Sequence, residues 1–172
     1  MSRSVSLASI IWISHTLPFL QSVALWGPMG VGKSTAVKTI AENLSKEFQQ
    51  HVGVTDIRLL NFSPIDLRGI PSADINKEFT VWLKPKIFDL PKDIPHILFL
   101  DEISATPQSL QAAAYQIALD KRIGEFELPA NCIVICAGNR TTDRSVAFRM
   151  PKALANRLLH IEILSDFDSW YE

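Results

Sequence analysis

The sequence predicts a three-layer α/β/α sandwich, in which helices cover both faces of a parallel five-stranded sheet. Short apolar runs alternate with amphipathic helical segments, which is typical of repeated strand–helix–strand units. Right-handed crossovers between parallel strands place the helices on both faces. Three polar clusters, at 27–34, 101–102 and 139, each follow an apolar run directly. Ligands bind at the carboxyl ends of parallel strands, so we expect the clusters to form one site.

The first half of the predicted sheet begins with "SVALW" (22–26), a short apolar strand. An amphipathic helix over 33–48 follows, and its apolar face carries Val37, Ile40, Ala41, Leu44 and Phe48. "DIRLLNF" (56–62) predicts the second strand. "HILFL" (96–100) is apolar throughout, as expected for a central parallel strand that is buried on both faces.

The second half of the pattern begins with a helix over 106–122, for which Thr106 is the predicted N-cap and Pro107 the first helical residue. "CIVICAG" (132–138) predicts another buried strand. A short helix that starts at Pro151 leads to the last strand, "LHIEI" (159–163).

Composition limits the classes of function. A chain of 172 residues that is 47% hydrophobic and 20% charged suits one domain with a sizeable core. A net charge of -1 gives no bulk attraction to nucleic acid or to an anionic membrane, so neither is an expected partner. Cys132 and Cys136 would lie about 13 Å apart on one strand face, too far for a disulfide. They indicate buried, reduced thiols in a cytoplasmic protein.

The N-terminal residues 1–20 predict a helical lead-in, because Leu7, Ile10 and Ile11 have helical spacing before Pro18. The same region resembles a signal peptide, since Arg3 precedes an apolar stretch. We reject that interpretation because cleavage would cut into the strand that must precede the glycine-rich segment. Polar residues and proline interrupt the run, so it does not predict a membrane span.

The stretch "GPMGVGKST" (27–35) matches the phosphate-loop pattern G-x-x-x-x-G-K-[ST] and lies between a strand and a helix. Its glycines let backbone N–H groups converge on phosphate oxygens, and the helix N-terminus adds a positive dipole end. We expect Lys33 to reach the β- and γ-phosphates of ATP and Ser34 to offer its hydroxyl to Mg²⁺. The predicted nucleotide-binding residues are Gly27, Pro28, Met29, Gly30, Val31, Gly32, Lys33, Ser34 and Thr35.

Polar residues at two further strand ends complete the candidate site. Asp101 can hold Mg²⁺ through water, so Ser34 and Asp101 are the predicted metal residues. The adjacent Glu102 is the candidate for polarising an attacking water, which an ATPase needs and a kinase does not. Asn139 offers an amide that can contact the γ-phosphate and orient that water.

Arginines are concentrated after Asn139, at Arg140, Arg144, Arg149 and Arg157. Phosphoryl transfer gains from an arginine at the developing charge. Arg157 lies just before the last strand and is the predicted catalytic arginine.

Taken in order, "GPMGVGKS", "ILFLDE", "AGN" and "ALANRL" resemble an AAA+ ATPase of the MoxR or dynein-related branch. "DLRGIP", "SLQAAAYQIALDKRIGEFELP" and "TDRSVAFRMPKALANRLLHIE" extend the resemblance over roughly residues 22–165. It implies a P-loop ATPase core at 21–165, after the lead-in at 1–20. Residues 166–172 would begin the connection to a small helical lid.

The resemblance also implies roles for these residues. Residues 27–35 would be the Walker A loop, Asp101 and Glu102 Walker B, and Asn139 sensor 1. Arg157 would match the arginine finger, which such ATPases insert into a neighbour's site. The hairpin before sensor 1 would be 122–128, and 63–71 would belong to the second-helix insert that faces the pore of the ring. From the residues alone, these two segments predict only a turn-centred hairpin and a surface loop.

The function that the resemblance implies is that of a Mg²⁺-dependent ATPase, a chaperone-like remodelling motor in a homo-oligomeric ring such as a hexamer. Its partner would be a protein with a von Willebrand A domain. Three alternatives stay open. A P-loop kinase would have an arginine-rich lid and no Asp-Glu pair. A core that binds ATP but turns it over slowly would follow from the absent lid, since the sequence ends at "SDFDSWYE". A DNA helicase or loader would need a basic groove.

Overall fold

The computed structural model describes residues 4–5, 21–140 and 156–163 of the chain. The elements, in chain order, are β1 (Ser4–Val5), β2 (Val23–Trp26), α1 (Lys33–Glu47), β3 (Gly53–Arg58), α2 (Pro64–Arg68), β4 (Ile70–Ala73), β5 (Thr80–Leu83), β6 (His96–Asp101), α3 (Gln108–Asp120), β7 (Arg122–Ile123), β8 (Phe126–Glu127), β9 (Cys132–Gly138) and β10 (Leu159–Ile163). Short 3-10 helices lie at Leu59–Asn61 and Lys86–Phe88.

The main sheet has the strand order β1-β10-β2-β9-β6-β3, and its paired strands are all parallel. Its five longer strands confirm the predicted parallel sheet, and the two-residue β1 adds a sixth strand at one edge. The register pairs Trp26 with Gly138 and Arg58 with Asp101. The strands therefore end together, and the residues that follow them share one edge of the sheet.

Two hydrophobic clusters, one on each face of the sheet, make the fold a three-layer sandwich. On one face, α3 packs on alternate residues of the strands, including Ala24, Leu98 and Val134. On the other face, α1 packs on the intervening residues, including Leu25 and Phe99. Alternate side chains of a strand point to opposite faces, so each central strand contributes to both clusters. Each fully buried aliphatic side chain contributes about 1.5–3 kcal/mol to folding.

Three predicted details of these elements are wrong. The second strand runs over Gly53–Arg58 and gives way to the 3-10 helix, because the following leucine turns into the core instead of extending the strand. Phe48, predicted on the buried face of the helix, is 41% exposed because α1 ends before it. Thr106 does not cap α3, since its hydroxyl donates to the carbonyl of Glu102 and the helix begins after Pro107.

Two small antiparallel hairpins lie outside the main sheet. The turn-centred hairpin predicted over 122–128 is confirmed as β7 and β8. The segment at 63–71, predicted as a surface loop, instead forms α2 and the start of β4, which pairs antiparallel with β5. The β4–β5 hairpin and its turn carry large exposed apolar side chains, namely Ile70, Ile75, Phe79, Val81 and Leu83.

Several predictions lie outside the described residues: most of the helical lead-in at 1–20, most of the short helix that starts at Pro151, and the end segment at 166–172. Cys132 and Cys136 are both free and buried, as predicted. Burial raises the pKa of Cys132 to about 11 and the pKa of Cys136 to about 12. No helix in the described ranges is both long enough and apolar enough to cross a membrane.

Candidate functional site

The phosphate loop connects β2 to α1 at the carboxyl edge of the sheet. Gly30 and Gly32 have φ angles of +77° and +91°, in the region that glycine adopts without strain. Gly32 is also the N-cap of α1, so the helix begins at Lys33. The first turn of α1 has no acidic residue of its own, so no side chain of that turn opposes the positive end of the helix dipole. This geometry is typical of a loop that binds an anion.

Lys33 reaches back across the loop. Its ammonium donates to the carbonyl oxygens of Gly27 at 2.8 Å and Pro28 at 2.9 Å. It also donates to Oδ1 of Asn139 at 2.9 Å, at the end of β9. The lysine thus joins two of the predicted motifs, which are 106 residues apart in the chain. Because the amide oxygen of Asn139 accepts this bond, its NH₂ group is left to face another acceptor.

Ser34 and Asp101 form the second connection between motifs. The Ser34 hydroxyl donates to Oδ2 of Asp101 at 3.0 Å. Hydroxyl and carboxylate oxygens are the ligands that Mg²⁺ prefers, so the pair fits the predicted metal role. Within the three described ranges, no group of three or more His, Cys, Asp or Glu side chains could hold a metal ion. This composition suits Mg²⁺, which usually binds through one or two carboxylates together with phosphate and water.

Glu102 has a strained backbone that its neighbours hold in place. Its φ angle is +60°, which is uncommon for a residue with a side chain. Its N–H donates to Oδ1 of Asp101 at 2.8 Å, and its carbonyl accepts the hydroxyl of Thr106 at 2.8 Å. The side chain is 28% exposed, and its Oε1 lies 4.0 Å from Nε of Arg58. The carboxylate is therefore partly buried, with a cation beside it.

Asn139 is buried at the end of β9. Its N–H donates to Oγ of Ser104 at 2.8 Å, so its main chain is fixed as well as its side chain. The preceding Gly138 makes room for this arrangement. A Cβ at that position would lie 2.8 Å from Cζ3 of Trp26 and 3.0 Å from Oγ of Ser104. A larger residue would therefore push the end of β9 away from the loop at 101–106.

These groups surround one cleft of about 290 Å³. It is lined by Met29, Gly30, Gly32, Lys33, Ser34, Thr35, Arg58, Asp101, Glu102, Gly138 and Asn139. Three predicted nucleotide-binding residues do not line the cleft, namely Gly27, Pro28 and Val31. The carbonyls of Gly27 and Pro28 accept hydrogen bonds from Lys33, and Val31 packs against the core on the α1 face. The structure thus brings the three motifs together at one place.

Arg157 lies away from this cleft. It is 57% exposed, and its Nη2 lies 3.2 Å from Oδ1 of Asp120 at the end of α3. Helix α3 runs back from the cleft along the sheet. Asp120 and the start of β10 therefore lie at the amino-terminal ends of the strands, opposite the cleft. Glu162, which could have paired with Arg157, is paired with Arg140 instead. The other two arginines of this segment, Arg144 and Arg149, lie outside the described residues.

Three residues around the cleft were missed by the sequence analysis: Arg58, Ser104 and Thr106. The predicted second strand continued to residue 62, which placed Arg58 inside a strand instead of at its end. The rule that polar residues after strands form the site would have identified Arg58, had the strand end been known. Ser104 had no predicted role and Thr106 was predicted only as a helix N-cap, and their hydrogen bonds are what connect them to the cleft.

The field near the cleft is shaped by charges on β3 as well. Burial raises the pKa of Asp56, and the nearby carboxylate of Asp101 raises it further. Arg58 and Lys38 act in the opposite direction and lower the pKa of Asp56. The carboxylates of Asp56 and Asp101 thus repel each other, and a bound cation would reduce that repulsion.

Comparison with known proteins gives the same fold. The model of the AAA family, described as "ATPase family associated with various cellular activities", matches residues 23–164. A candidate ATPase from Cytophaga hutchinsonii matches with a TM-score of 0.57 at 19% identity, over 96% of this chain and 47% of that one. NtrX from Brucella abortus gives 0.53 at 16% identity, over 95% and 38%. A RuvB variant from Thermotoga maritima gives 0.51 at 19% identity, over 92% and 43%.

The chain spans less than half the length of each of these three structures. At these identities, the likeness establishes the parallel P-loop fold, with its five longer strands, and no further property. No curated protein gives a significant sequence match.

Proposed function

The chain belongs to the AAA family of ATPases, and we propose that it binds ATP with Mg²⁺ and hydrolyses it to ADP and phosphate. One observation carries this proposal. Lys33, Ser34, Asp101, Glu102 and Asn139 converge on one cleft, tied by the bonds from Lys33 to Asn139 and from Ser34 to Asp101. A structural cluster would not need a lysine, a paired acid and an amide arranged around an anion-binding loop.

The binding half of this site is the loop and the start of α1. Backbone N–H groups around Gly30 and Gly32 would surround the phosphates, and Lys33 would neutralise their charge. Ser34 and Asp101 are the residues that would hold Mg²⁺, which would neutralise charge on the phosphates. These residues recognise a polyphosphate and not a particular base, so ATP as the nucleotide is part of the proposal.

The chemical half is formed by Glu102 and Asn139. Glu102 would accept a proton from the attacking water, and its position at the rim of the cleft gives water access to it. The NH₂ group of Asn139 would donate to the γ-phosphate or the water, because its oxygen is already used by Lys33. Arg58 lies close enough to Glu102 to hold the carboxylate until the site is filled.

Assembly and partner are also parts of the proposal. We propose that Arg157 completes the site of a neighbouring protomer, since it is exposed and outside its own cleft. Protomers would then form a homo-oligomeric ring of the MoxR type, a chaperone-like motor that remodels other proteins in the cytoplasm. A von Willebrand A-domain protein as partner stays a prediction. A core that binds ATP and turns it over slowly is the second candidate, and Arg157 outside the cleft is the observation that favours it.

The first experiment separates binding from chemistry with Glu102→Gln. This variant keeps the shape of the side chain but cannot accept the proton, so it should bind ATP with unchanged affinity and hydrolyse it at least about a hundredfold more slowly. Glu42→Gln, on the exposed side of α1, is the matched control. Hydrolysis by Glu102→Gln at the unmutated rate would remove Glu102 from the mechanism and favour the kinase alternative.

The second experiment tests the action of Arg157 on a neighbour. Activity per protomer should rise with protein concentration, and Arg157→Ala should bind ATP without hydrolysing it. Mixing Arg157→Ala with Lys33→Ala should restore activity, because a Lys33→Ala protomer still offers its arginine to an intact cleft. Arg122→Ala is the matched control, since Arg122 is similarly exposed and paired with Glu127. If the mixture stays inactive and Arg157→Ala only lowers stability, the pair with Asp120 is structural.

A further inference from the structure

We propose that the hydroxyls of Ser104 and Thr106 are positioning groups that fix Asn139 and Glu102 relative to each other. The inference rests on the proposed ATPase function, because it concerns the two residues assigned to its chemical step. Neither hydroxyl belongs to the phosphate loop, the acidic pair or the residues that line the cleft. Both lie in the segment 101–106, which leads from β6 to α3.

Thr106 holds the backbone of Glu102. Its side chain is fully buried, and its hydroxyl donates to the carbonyl of Glu102 at 2.8 Å. The same carbonyl accepts the N–H of Ala105 at 3.1 Å, and the N–H of Glu102 donates to Asp101. Glu102 sits at a φ of +60°, a conformation that persists only when its surroundings over-determine it. Thr106 is one of the groups that impose this conformation, and the conformation sets the direction of the carboxylate.

Ser104 holds the backbone of Asn139. Its side chain is 2% exposed, and its Oγ accepts the N–H of Asn139 at 2.8 Å. The bond joins segments 35 residues apart, and it ties the end of β9 to the segment that carries Glu102. The segment is itself fastened to α3, because the buried Gln111 donates to the carbonyl of Ile103 at 2.9 Å. Glu102 and Asn139 are therefore mounted on one hydrogen-bonded frame.

The frame has a chemical consequence because the two residues act on the same water. Catalytic groups must be held within about 0.5 Å of their productive geometry, and a displacement of 1 Å can cost about a hundredfold in rate. Lys33 fixes only the side chain of Asn139, and Asp101 fixes only the N–H of Glu102. Ser104 fixes the N–H of Asn139. Thr106 holds the carbonyl of Glu102 together with the N–H of Ala105. Loss of these hydroxyls should affect the transition state more than the binding of nucleotide.

The test uses Ser104→Ala and Thr106→Val, which each remove one hydroxyl at nearly constant shape. The conservative Thr106→Ser keeps its hydroxyl. Ser45→Ala is the matched control for the serine, because Ser45 Oγ also accepts a backbone N–H from beyond its own helix, that of Val52 at 2.9 Å, but at the far end of α1. For each protein, the affinity for Mg²⁺ with ADP is compared with the affinity for Mg²⁺ with ADP and aluminium fluoride, a mimic of the transferring phosphoryl group.

We expect Ser104→Ala and Thr106→Val to bind ADP within about twofold of the unmutated protein and to lose at least about tenfold in affinity for the fluoride complex. Thr106→Ser and Ser45→Ala should lose neither. In the nucleotide-free protein, Ser104→Ala should also speed hydrogen exchange at the Asn139 amide, with the strands of the sheet unchanged.

Two results would overturn the inference while leaving the proposed function intact. One is a parallel loss of both affinities together with thermal stability, which would make the hydroxyls merely structural. The other is that Ser104→Ala and Thr106→Val bind the fluoride complex with unchanged affinity, while Glu102→Gln binds it more weakly. If the unmutated protein shows no preference for the fluoride complex over ADP, or Glu102→Gln leaves that preference intact, the proposed hydrolysis itself fails, and the inference fails with it.

Discussion

Removal of the Lys33 ammonium is the most direct perturbation of the cleft. Lys33→Ala deletes the cation that would meet the phosphates and leaves the loop backbone and the start of α1 in place. The lysine is not part of either hydrophobic cluster, so the fold should survive the substitution. The measured quantity is therefore nucleotide affinity and not stability.

The magnitude follows from the contacts that the ammonium already makes. A charge-assisted hydrogen bond contributes about 1.5–3 kcal/mol. The ammonium donates to acceptors on Gly27, Pro28 and Asn139, among its other contacts. Phosphate must displace some of these bonds, so nucleotide binding exchanges partners instead of adding a complete new set. A net loss equal to one such bond corresponds to about a 10- to 150-fold weaker affinity.

The assay is titration with a fluorescent ATP analogue at fixed ionic strength. Lys46→Ala is the matched control, because it removes the same charge from an exposed position in the last turn of the same helix. We expect Lys46→Ala to bind within about twofold of the unmutated protein, since an exposed charge about 20 Å along the helix from Lys33 is largely screened. Equal losses in the two variants would show a general charge effect, and an unchanged affinity in Lys33→Ala would refute the phosphate-loop assignment.

Three further predictions concern the scaffold. Burial lowers the pKa of His96 from its ordinary value of 6.5, and the nearby His51 lowers it further. The folded protein therefore resists protonation there, and stability should fall as the pH drops below about 6.5; thermal unfolding against pH should show a smaller loss for His96→Gln, and an equal loss would contradict the prediction. Burial raises the pKa of Cys136 to about 12, so a thiol reagent should modify it only after denaturation, and rapid labelling of the native protein would contradict its burial. Leu98→Ala should destabilise the fold by about 2–5 kcal/mol in denaturant titrations, whereas the half-exposed Leu60→Ala should cost far less.

The central sheet was predictable because it leaves a direct trace in the sequence. Strands buried on both faces are apolar throughout, and β6, β9 and β10 were predicted within one residue of their bounds. The edge strand β3 was misplaced, because its exposed positions make it polar and the apolar leucines that follow it belong to a 3-10 helix. The β4–β5 hairpin was missed, because its large apolar side chains are exposed and follow no burial pattern.

The candidate site was predictable where chemistry requires particular residue types at the ends of strands. The lysine, the acidic pair and the amide were assigned from the sequence, and the structure brings them into one cleft. What the sequence could not give was the set of contacts between them. The bond from Lys33 to Asn139 and the proximity of Arg58 to Glu102 depend on strand register and on where β3 ends. Such distances arise from tertiary packing, which composition and spacing do not encode locally.

The two hydrophobic clusters lie in two compartments, one on each face of the sheet, and each compartment supports a different part of the candidate site. The α1 compartment supports the loop that would grip the phosphates, and the α3 compartment supports the segment that carries Glu102. The sheet is the partition between them, and its strands are the parts that both compartments share. Substitutions that weaken packing against α1 should therefore alter nucleotide affinity. Substitutions that weaken packing against α3 should alter the rate of hydrolysis. Selection could adjust how tightly nucleotide is held and how fast it is consumed as two separate traits of one small domain.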